Sequence, residues 1–275
     1  MTTPILVTGA TGHSGRHVVN GLLAEGASVR ALVRDPAKAN LPDGVEVVAG
    51  DLTDPESVAV AAKGVSAVYL VWPFFSGDGV EAAVRALDAR RVVYLSAVSA
   101  SDENSVWGKV EAAVREVAAE WTFVRVSGLA VNALAWAAQV PTGVVRAPYG
   151  GAARSLVHER DVAAVAVRAL LDDGHAGKSY ATTGPESITQ AEQVRLIGEA
   201  LGRPVRWEEQ PLEEARTQLR EALGNAEFAD NALGYWASLI DAPEPASSDV
   251  EAVLGRPALS FAEWARDHAA DFRVR

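Results

Sequence analysis

Ile5-Leu6-Val7-Thr8-Gly9-Ala10-Thr11-Gly12-His13-Ser14-Gly15-Arg16 is the stretch that decides the fold. A β-branched apolar run stops at Gly9, and three glycines follow as G-x-x-G-x-x-G. From residue 16 to 25 the apolar residues Val18, Val19, Leu22 and Leu23 return at helical spacing. Strand, glycine turn and helix in that order let a backbone approach a pyrophosphate at a helix N-terminus. A tight strand-to-helix turn also wants glycine, so the triplet alone is weak. Its context makes Gly9, Gly12 and Gly15 a dinucleotide-binding loop.

Outward from this stretch the rhythm repeats. Short β-branched runs at residues 28–33, 46–49, 67–72, 91–96 and 122–126 read as strands, with a clear helical pattern at 109–120 (Val110, Ala113, Val114, Val117). Strand alternating with helix implies a parallel sheet covered on both faces. The expected class is α/β, a Rossmann-type doubly wound parallel sheet over residues 1–128. A smaller C-terminal α/β substrate region over 129–275 is expected to be interleaved with that core. The rhythm breaks after Val126. Beyond it lie a very apolar helix near 161–171, a strand near 179–183, and helices near 189–201, 212–223 and 261–269. Residues 241–249, with Pro243 and Pro245, read as a loop.

Composition narrows the function. The 275 residues carry 36 acidic against 25 basic side chains, a formal charge of −11, which repels phosphate backbones and anionic membrane surfaces. Residues 186–275 hold 17 acidic and 9 basic of these, so the surplus sits away from the phosphate loop. No cysteine means no disulfide or thiolate nucleophile, and the five histidines lack metal-ligand spacing, so no metal site is expected. The longest apolar stretch, 67–75, is far short of the roughly 20 residues of a spanning helix, and Met1 to Pro4 leave no room for a signal peptide. The chain reads as a soluble, cytoplasmic protein with a small-molecule substrate, no nucleic-acid or membrane partner, and a homodimer as its conceivable assembly.

Which dinucleotide is bound is decided at the end of the second strand, where NAD-binding chains usually place an acid on the ribose diol. Here the strand ends Leu32-Val33-Arg34. Arg34 can pair with a 2′-phosphate, with Arg30 and Lys38 as further cations nearby. Asp35 is an acid one position later, but Asp35-Pro36 also reads as an N-cap followed by proline at the first helical position. NADP(H) is the favoured cofactor.

The loop 9–15, the run Val29-Arg30-Ala31-Leu32-Val33-Arg34-Asp35-Pro36, Gly50-Asp51-Leu52 and Val93-Tyr94-Leu95-Ser96 together resemble the NmrA-like branch of the atypical short-chain dehydrogenases/reductases. Trp121-Thr122-Phe123-Val124-Arg125, Asn132, and Val157 to Val162 leading into an apolar helix extend the resemblance over roughly residues 4–205; residues 206–275 match no nameable motif. The resemblance implies NADPH as cofactor and reduction of a small carbonyl, quinone or conjugated organic molecule. It puts Thr11, Gly12 and His13 on the phosphates, Arg34 on the 2′-phosphate and Asp51 and Leu52 beside adenine. Val71, Trp72 and Pro73 would lie along the cofactor near the nicotinamide ribose. Two departures stand out. The usual Tyr-x-x-x-Lys is missing, since Ser105 stands four before Lys109, and Arg125 is followed by Val126 instead of proline.

Few residues need be catalytic when the cofactor carries the chemistry. Lys109, early in the helix after the fifth strand, is a candidate to face the nicotinamide; it also reads as ordinary solvated surface. Ser96, at the end of a parallel strand, occupies the edge where such folds bind ligands. His158, ahead of Glu159 and Asp161, is a possible proton donor or a helix-end cap. Phe74, Phe75, Trp107 and Trp136 could wall a planar substrate or simply fill cores. Phe74 and Phe75 are favoured because Pro73, Gly77 and Gly79 frame a loop there. Asn132 could bond cofactor or backbone, and Tyr149 could be a displaced phenol donor or a packed turn residue. The leading expectation is an NADPH-dependent oxidoreductase. The alternative is a non-enzymatic NADP(H)-binding redox sensor.

Overall fold

The run Ile5–Thr8 is a strand, β1, buried at every position because both its faces are covered. The structure, a computed structural model, describes residues 3–273. The next elements are α1 (Gly15–Ala24), β2 (Val29–Val33), β3 (Val45–Ala49), α2 (Pro55–Ala62), β4 (Ala67–Val71), α3 (Val80–Leu87), β5 (Arg91–Ala97), α4 (Val106–Val117) and β6 (Glu120–Val126). They are followed by β7 (Val144–Ala147), β8 (Ala153–Arg154), α5 (Glu159–Leu171), β9 (Lys178–Thr182), β10 (Ile188–Thr189), α6 (Gln190–Ala200) and β11 (Arg206–Glu209). Four helices close the chain: α7 (Leu212–Leu223), α8 (Ala226–Asp241), α9 (Asp249–Leu254) and α10 (Phe261–Asp267).

Two units are distinguished. The first comprises Met1–Ser127, Glu159–Thr182 and Asp249–Pro257. Its sheet runs β3-β2-β1-β4-β5-β6-β9 with every pairing parallel, so strand order reverses between β1 and β4. This is the Rossmann-type doubly wound sheet, and ligands of such sheets bind at that switch point. Residues 161–171 read as unusually apolar because α5 is buried on most of its circumference, packing on α1, α9 and strands β4 to β6. Gly21 permits the approach of α1, since a Cβ there would come within 2.9 Å of Val167 Cγ2. The edge strand β9 is blunted by α9, whose Asp249 accepts the Ala181 N–H at 2.7 Å.

The second unit comprises Gly128–His158, Thr183–Ser248 and Ala258–Arg275. Two small sheets, β11 with β7 parallel and β10 with β8 antiparallel, surround a core that includes Val131, Val145, Ile197, Trp264 and Phe272. The irregular stretch between α8 and α9 is pinned by Glu244, whose carboxylate accepts from Arg154, the Ser155 N–H and the Tyr235 hydroxyl. Burial first, and then the Glu244 charge, push the Tyr235 phenol up to about 12. Among the described residues no helix is long and apolar enough to cross a membrane.

Candidate functional site

At the switch point β1 and β4 part, and a side chain extends the ladder. The Val71 N–H donates to Thr8 Oγ1 at 2.7 Å, just past the last paired residues, Val7 and Tyr69. The chain then turns through Gly9 at φ 63°, where a Cβ would come within 3.1 Å of Val71 Cβ. Gly15 is the tightest position, because its Cβ would lie 2.0 Å from the Gly9 carbonyl oxygen. Gly12 donates its N–H to that same oxygen at 2.9 Å. The contacts of Gly12 and Gly15 are backbone against backbone and cannot be relieved by a rotamer change.

The first turn of α1 lacks the usual caps. Ser14 stands at the N-cap, but its side chain makes no capping bond; it accepts the buried Tyr69 hydroxyl at 3.3 Å. No acid lies in the first turn. Among the described residues the N–H groups of Thr11, His13, Ser14 and Gly15 meet no backbone acceptor. Arg16 donates to the carbonyls of Thr11 (2.9 Å) and Gly12 (3.3 Å), which turns the loop's acceptors inward. Free donors and the positive end of a helix dipole fit a pyrophosphate.

The adenosine end is equally uneven in its commitments. Arg30 is spent on the carbonyls of Ala61 and Lys63, both at 2.8 Å, and on Glu46, so it is withdrawn from the 2′-phosphate candidates. Asp35 accepts the Ala37 N–H and pairs with Lys38 at 3.0 Å, which confirms the capping reading and occupies both side chains. Arg34 is exposed and makes no side-chain hydrogen bond or ion pair among the described residues. Asp51 accepts from the Thr53 N–H and hydroxyl. Those bonds, then the Arg34 charge, hold its carboxyl below the usual range. Leu52 is buried against the main core.

Around the end of β4 the aromatic residues separate. Trp72 and Phe74 pack edge to face at 4.9 Å within the core, and the Trp72 indole donates to Ser76 O. Trp107 also packs on that core. Pro73 is exposed, and Phe75 turns outward with 69% of its surface accessible, so Phe74 and Phe75 do not form one wall. Lys109 is exposed, with no side-chain hydrogen bond or ion pair among the described residues. Its stem lies over Gly77, where a Cβ would meet Lys109 Cδ at 3.1 Å. Gly77→Val is expected to displace this lysine, which a change in the Lys109 side-chain resonances with the fold otherwise unaltered would report.

Ser96 proves to be engaged elsewhere. Its hydroxyl is buried and donates to Glu111 Oε1 at 2.7 Å, which takes it out of the open strand edge. Glu111, fully buried on α4, also accepts from Arg125 Nε (2.8 Å) and Nη2 (2.6 Å) and from Arg115 (2.9 Å). Ser105, standing where short-chain reductases usually carry tyrosine, caps α4: it accepts the Gly108 N–H and donates to Asp102 O. His158 is buried in the second unit, with Nε2 3.3 Å from Asp267 Oδ2 and its ring 6.1 Å from that of His268.

In the second unit Asn132 is exposed on the helical segment Ala130–Trp136, and its side chain makes no hydrogen bond among the described residues. Trp136 and Trp207 meet edge to face at 5.7 Å. Tyr149 holds φ 64°, a conformation that costs a non-glycine residue of order 1–3 kcal/mol. Glu209 accepts the N–H groups of Tyr149 and Gly150 and the Trp207 indole N–H. Burial raises the Glu209 carboxyl, but these three donors outweigh it and hold the group below the ordinary carboxylate range. Because the folded pKa is depressed, the stabilisation is present above the ordinary carboxylate pKa and is lost as pH falls through the depressed value. The melting temperature of Glu209→Gln is therefore expected to lie below wild type at neutral pH and to converge with it below pH 4.5. Thermal melts across that range test it.

Glu111, Trp207, Glu209 and Gln190 are not singled out by their sequence context, whereas Arg125 is read there only as part of the sixth-strand run. Glu111 alone carried a signal, since a carboxylate between Val110 and Val114 lies on the apolar stripe of its helix. A groove of about 440 Å³ between α1, α5 and α9 begins at His17, beyond the loop. Its Arg168 and Arg256 are paired with Glu25 and Asp161, and it shares none of the loop's free donors.

Known proteins resemble this chain along nearly its whole length. The model of the NmrA-like family matches residues 1–247. The chain is 40% identical, over 98% of its length and 99% of the relative's, to the (4-alkanoyl-5-oxo-2,5-dihydrofuran-3-yl)methyl phosphate reductase of Streptomyces griseus subsp. griseus. It is 34% identical, over the same shares, to the NAD(P)H azoreductase of Xenophilus azovorans. Among solved structures, Citrobacter sp. triphenylmethane reductase complexed with NADP(H) shares the fold at a TM-score of 0.81, with 24% identity over 96% of this chain and 99% of that one.

Proposed function

This chain belongs to the NmrA-like family, and on that footing we propose that it reduces a planar, conjugated carbonyl- or quinone-like compound at the expense of NADPH. It is an NAD(P)H-dependent oxidoreductase, and its cofactor is NADP(H). The observation that carries the reading is the pairing of an uncapped glycine loop with Arg34, a cation left unspent while its neighbours Arg30 and Lys38 are committed. The relatives' names bear on the substrate class. The oxodihydrofuran and azo groups in those names each contain a conjugated double bond that a hydride and a proton together reduce, two electrons and two protons in all.

The residues divide the work. Thr11, His13 and Gly15 would hold the pyrophosphate through backbone N–H groups, with the Gly12 N–H spent on the Gly9 carbonyl to fix the turn, and Arg34 would hold the 2′-phosphate. Asp51 and Leu52 would flank adenine, with the backbone of Val71, Trp72 and Pro73 along the nicotinamide ribose. When bound, the cofactor supplies both reducing electrons with one hydrogen nucleus. The second proton must come from the protein or from water. With Ser105 acting as a helix cap, the exposed Lys109, which makes no side-chain hydrogen bond or ion pair among the described residues, would hold the accepting atom or a water beside it. Phe75, outward on the loop after β4, offers that acceptor an apolar face.

The test is a titration with NADPH and NADH followed by tryptophan fluorescence, then a screen of the NADPH complex against quinones and conjugated ketones at the reduced-nicotinamide absorbance band. NADPH binding with acceptor-dependent loss of absorbance is the expected result. Binding with no turnover across the panel overturns the substrate class, and absence of NADPH binding overturns the whole reading.

A further inference from the structure

Glycine at position 12 keeps the phosphate loop clear, since a Cβ there would lie 3.1 Å from the Gly9 carbonyl oxygen. The same residue leaves the peptides on either side of it with little to restrain their rotation. A peptide plane that turned over would aim a carbonyl oxygen, with its partial negative charge, at the place where a phosphate is to be held. The side chain that guards against this is Arg16, in the first turn of α1. Its Nη2 donates to the Thr11 carbonyl at 2.9 Å and its Nε to the Gly12 carbonyl at 3.3 Å, while its own N–H reaches Gly12 O at 3.2 Å. The peptide bonds of the described residues are trans, so the C=O and N–H of one plane point in opposite directions. Holding Thr11 O therefore sends the Gly12 N–H to Gly9 O at 2.9 Å. Holding Gly12 O sends the His13 N–H to the other side, where among the described residues it meets no backbone acceptor. Arg16 is exposed and makes no ion pair among the described residues, so no carboxylate there draws the guanidinium off these carbonyls.

We propose that Arg16 is a positioning residue for the dinucleotide: it fixes the Thr11–Gly12 and Gly12–His13 peptides in the orientation that offers N–H groups to the pyrophosphate, and so sets the affinity for NADPH and NADH alike. This rests on the cofactor reading given above. It deepens that reading by separating the residue that sets affinity from Arg34, which sets the choice between the two cofactors. The effect reaches the cofactor through the backbone. A loop already held in the binding orientation spends no binding energy on being ordered. The rival account is purely electrostatic, a cation near the loop attracting phosphate through solvent. Because Arg16 is exposed, such an attraction fades as salt rises, whereas the orientation of the two peptides does not.

The experiment titrates the full chain calorimetrically with NADPH, with NADH and with adenosine 2′-monophosphate, which carries the 2′-phosphate but no pyrophosphate. Arg16→Ala is expected to weaken NADPH and NADH about tenfold each, the low end for a charge-assisted hydrogen bond, at low and at raised salt. Adenosine 2′-monophosphate should bind as it does to wild type. Arg34→Ala should give the converse pattern, losing adenosine 2′-monophosphate and NADPH affinity and keeping NADH. Arg16→Lys should recover only part of the loss, having the charge without the fork that spans two carbonyls. A second readout needs no cofactor: the amide resonances of Gly12 and His13 should broaden or shift in Arg16→Ala as their peptides lose a fixed orientation. Dinucleotide affinities within about twofold of wild type, unchanged Gly12 and His13 resonances, or a loss that disappears at raised salt each overturn the inference and leave the cofactor reading standing. A parallel fall in adenosine 2′-monophosphate binding also overturns it, since that marks either general damage or a seat at the 2′-phosphate. A wild-type protein that binds neither dinucleotide overturns the cofactor reading and this inference with it.

Discussion

Arg34→Ala is expected to weaken NADPH binding about 10- to 100-fold and to leave NADH binding almost unchanged. The magnitude follows from charge-assisted hydrogen bonds, worth roughly 1.5–3 kcal/mol, with about 1.4 kcal/mol to each tenfold in affinity. The selectivity follows from how the other charges near the end of β2 are committed. Arg30 is turned to the carbonyls of Ala61 and Lys63, and Lys38 is tied to Asp35. Lys38 would have to leave its exposed pairing with Asp35 to take over. Asp35, the acid that would favour a free ribose diol, is held by the Ala37 N–H and by Lys38. Removing Arg34 should therefore delete the proposed 2′-phosphate contact without uncovering a diol contact. Because Arg34 is exposed, the NADPH preference should also narrow as salt rises. Arg34→Lys should retain part of it, having the charge without the planar fork. Fluorescence titrations with both cofactors at low and moderate salt measure all of this. An NADPH to NADH ratio unchanged in Arg34→Ala would move the 2′-phosphate to another seat.

The cofactor half of the site is legible in sequence because its constraints are local. Gly9, Gly12 and Gly15 meet one another within seven residues, and Arg34 and Asp35 sit where one strand ends and one turn begins. The strands are legible for a similar reason: β1 occupies residues 5–8 as read, and β5 and β6 extend only slightly past the β-branched runs that announce them. What sequence does not announce is pairing at a distance. Glu209 is a surface-looking acid in a run of charges until Tyr149 and Gly150, some sixty positions earlier, bring their N–H groups to it. Ser96 reads as an open strand end because nothing nearby tells of Glu111, fifteen residues on. The helix α8 was not anticipated because its buried residues, Ala229, Leu233 and Leu239, are too sparse to make a stripe. The aromatic pair Phe74-Phe75 divides for a geometric reason. Adjacent residues after a strand point in opposite directions, so one joins Trp72 in the core and the other faces out.

The carboxylate of Glu111 is the second place where a large effect is expected. Replacing it with alanine should destabilise the protein by about 3–5 kcal/mol, the usual penalty for removing one partner of a buried ion pair. At about 2–4 °C of melting temperature per kcal/mol for a chain of this size, the loss should be roughly 10 °C. The cost is high because the group serves three elements at once. Ser96 and Arg125 face each other in the β5–β6 register, and Glu111 on α4 accepts from both. Without it the buried Ser96 hydroxyl loses its acceptor and Arg125 keeps a charge with no counterion at that position. Arg115 suffers less, being partly exposed and stacked over Trp121 and Phe123. The same geometry predicts that the penalty comes from the orphaned charge and not from lost attraction. Glu111→Leu combined with Arg125→Met should recover most of the stability, since a buried pair exchanged for apolar side chains of similar volume is often neutral or better. Thermal and urea melts of the single and double variants decide between these accounts. If the double variant is as unstable as Glu111→Ala, the network is worth more than its desolvation cost. If Glu111→Ala melts within about 2 °C of wild type, a loss below about 1 kcal/mol, α4 is held by its apolar face alone and Lys109 owes its place to Gly77 and the loop beneath it.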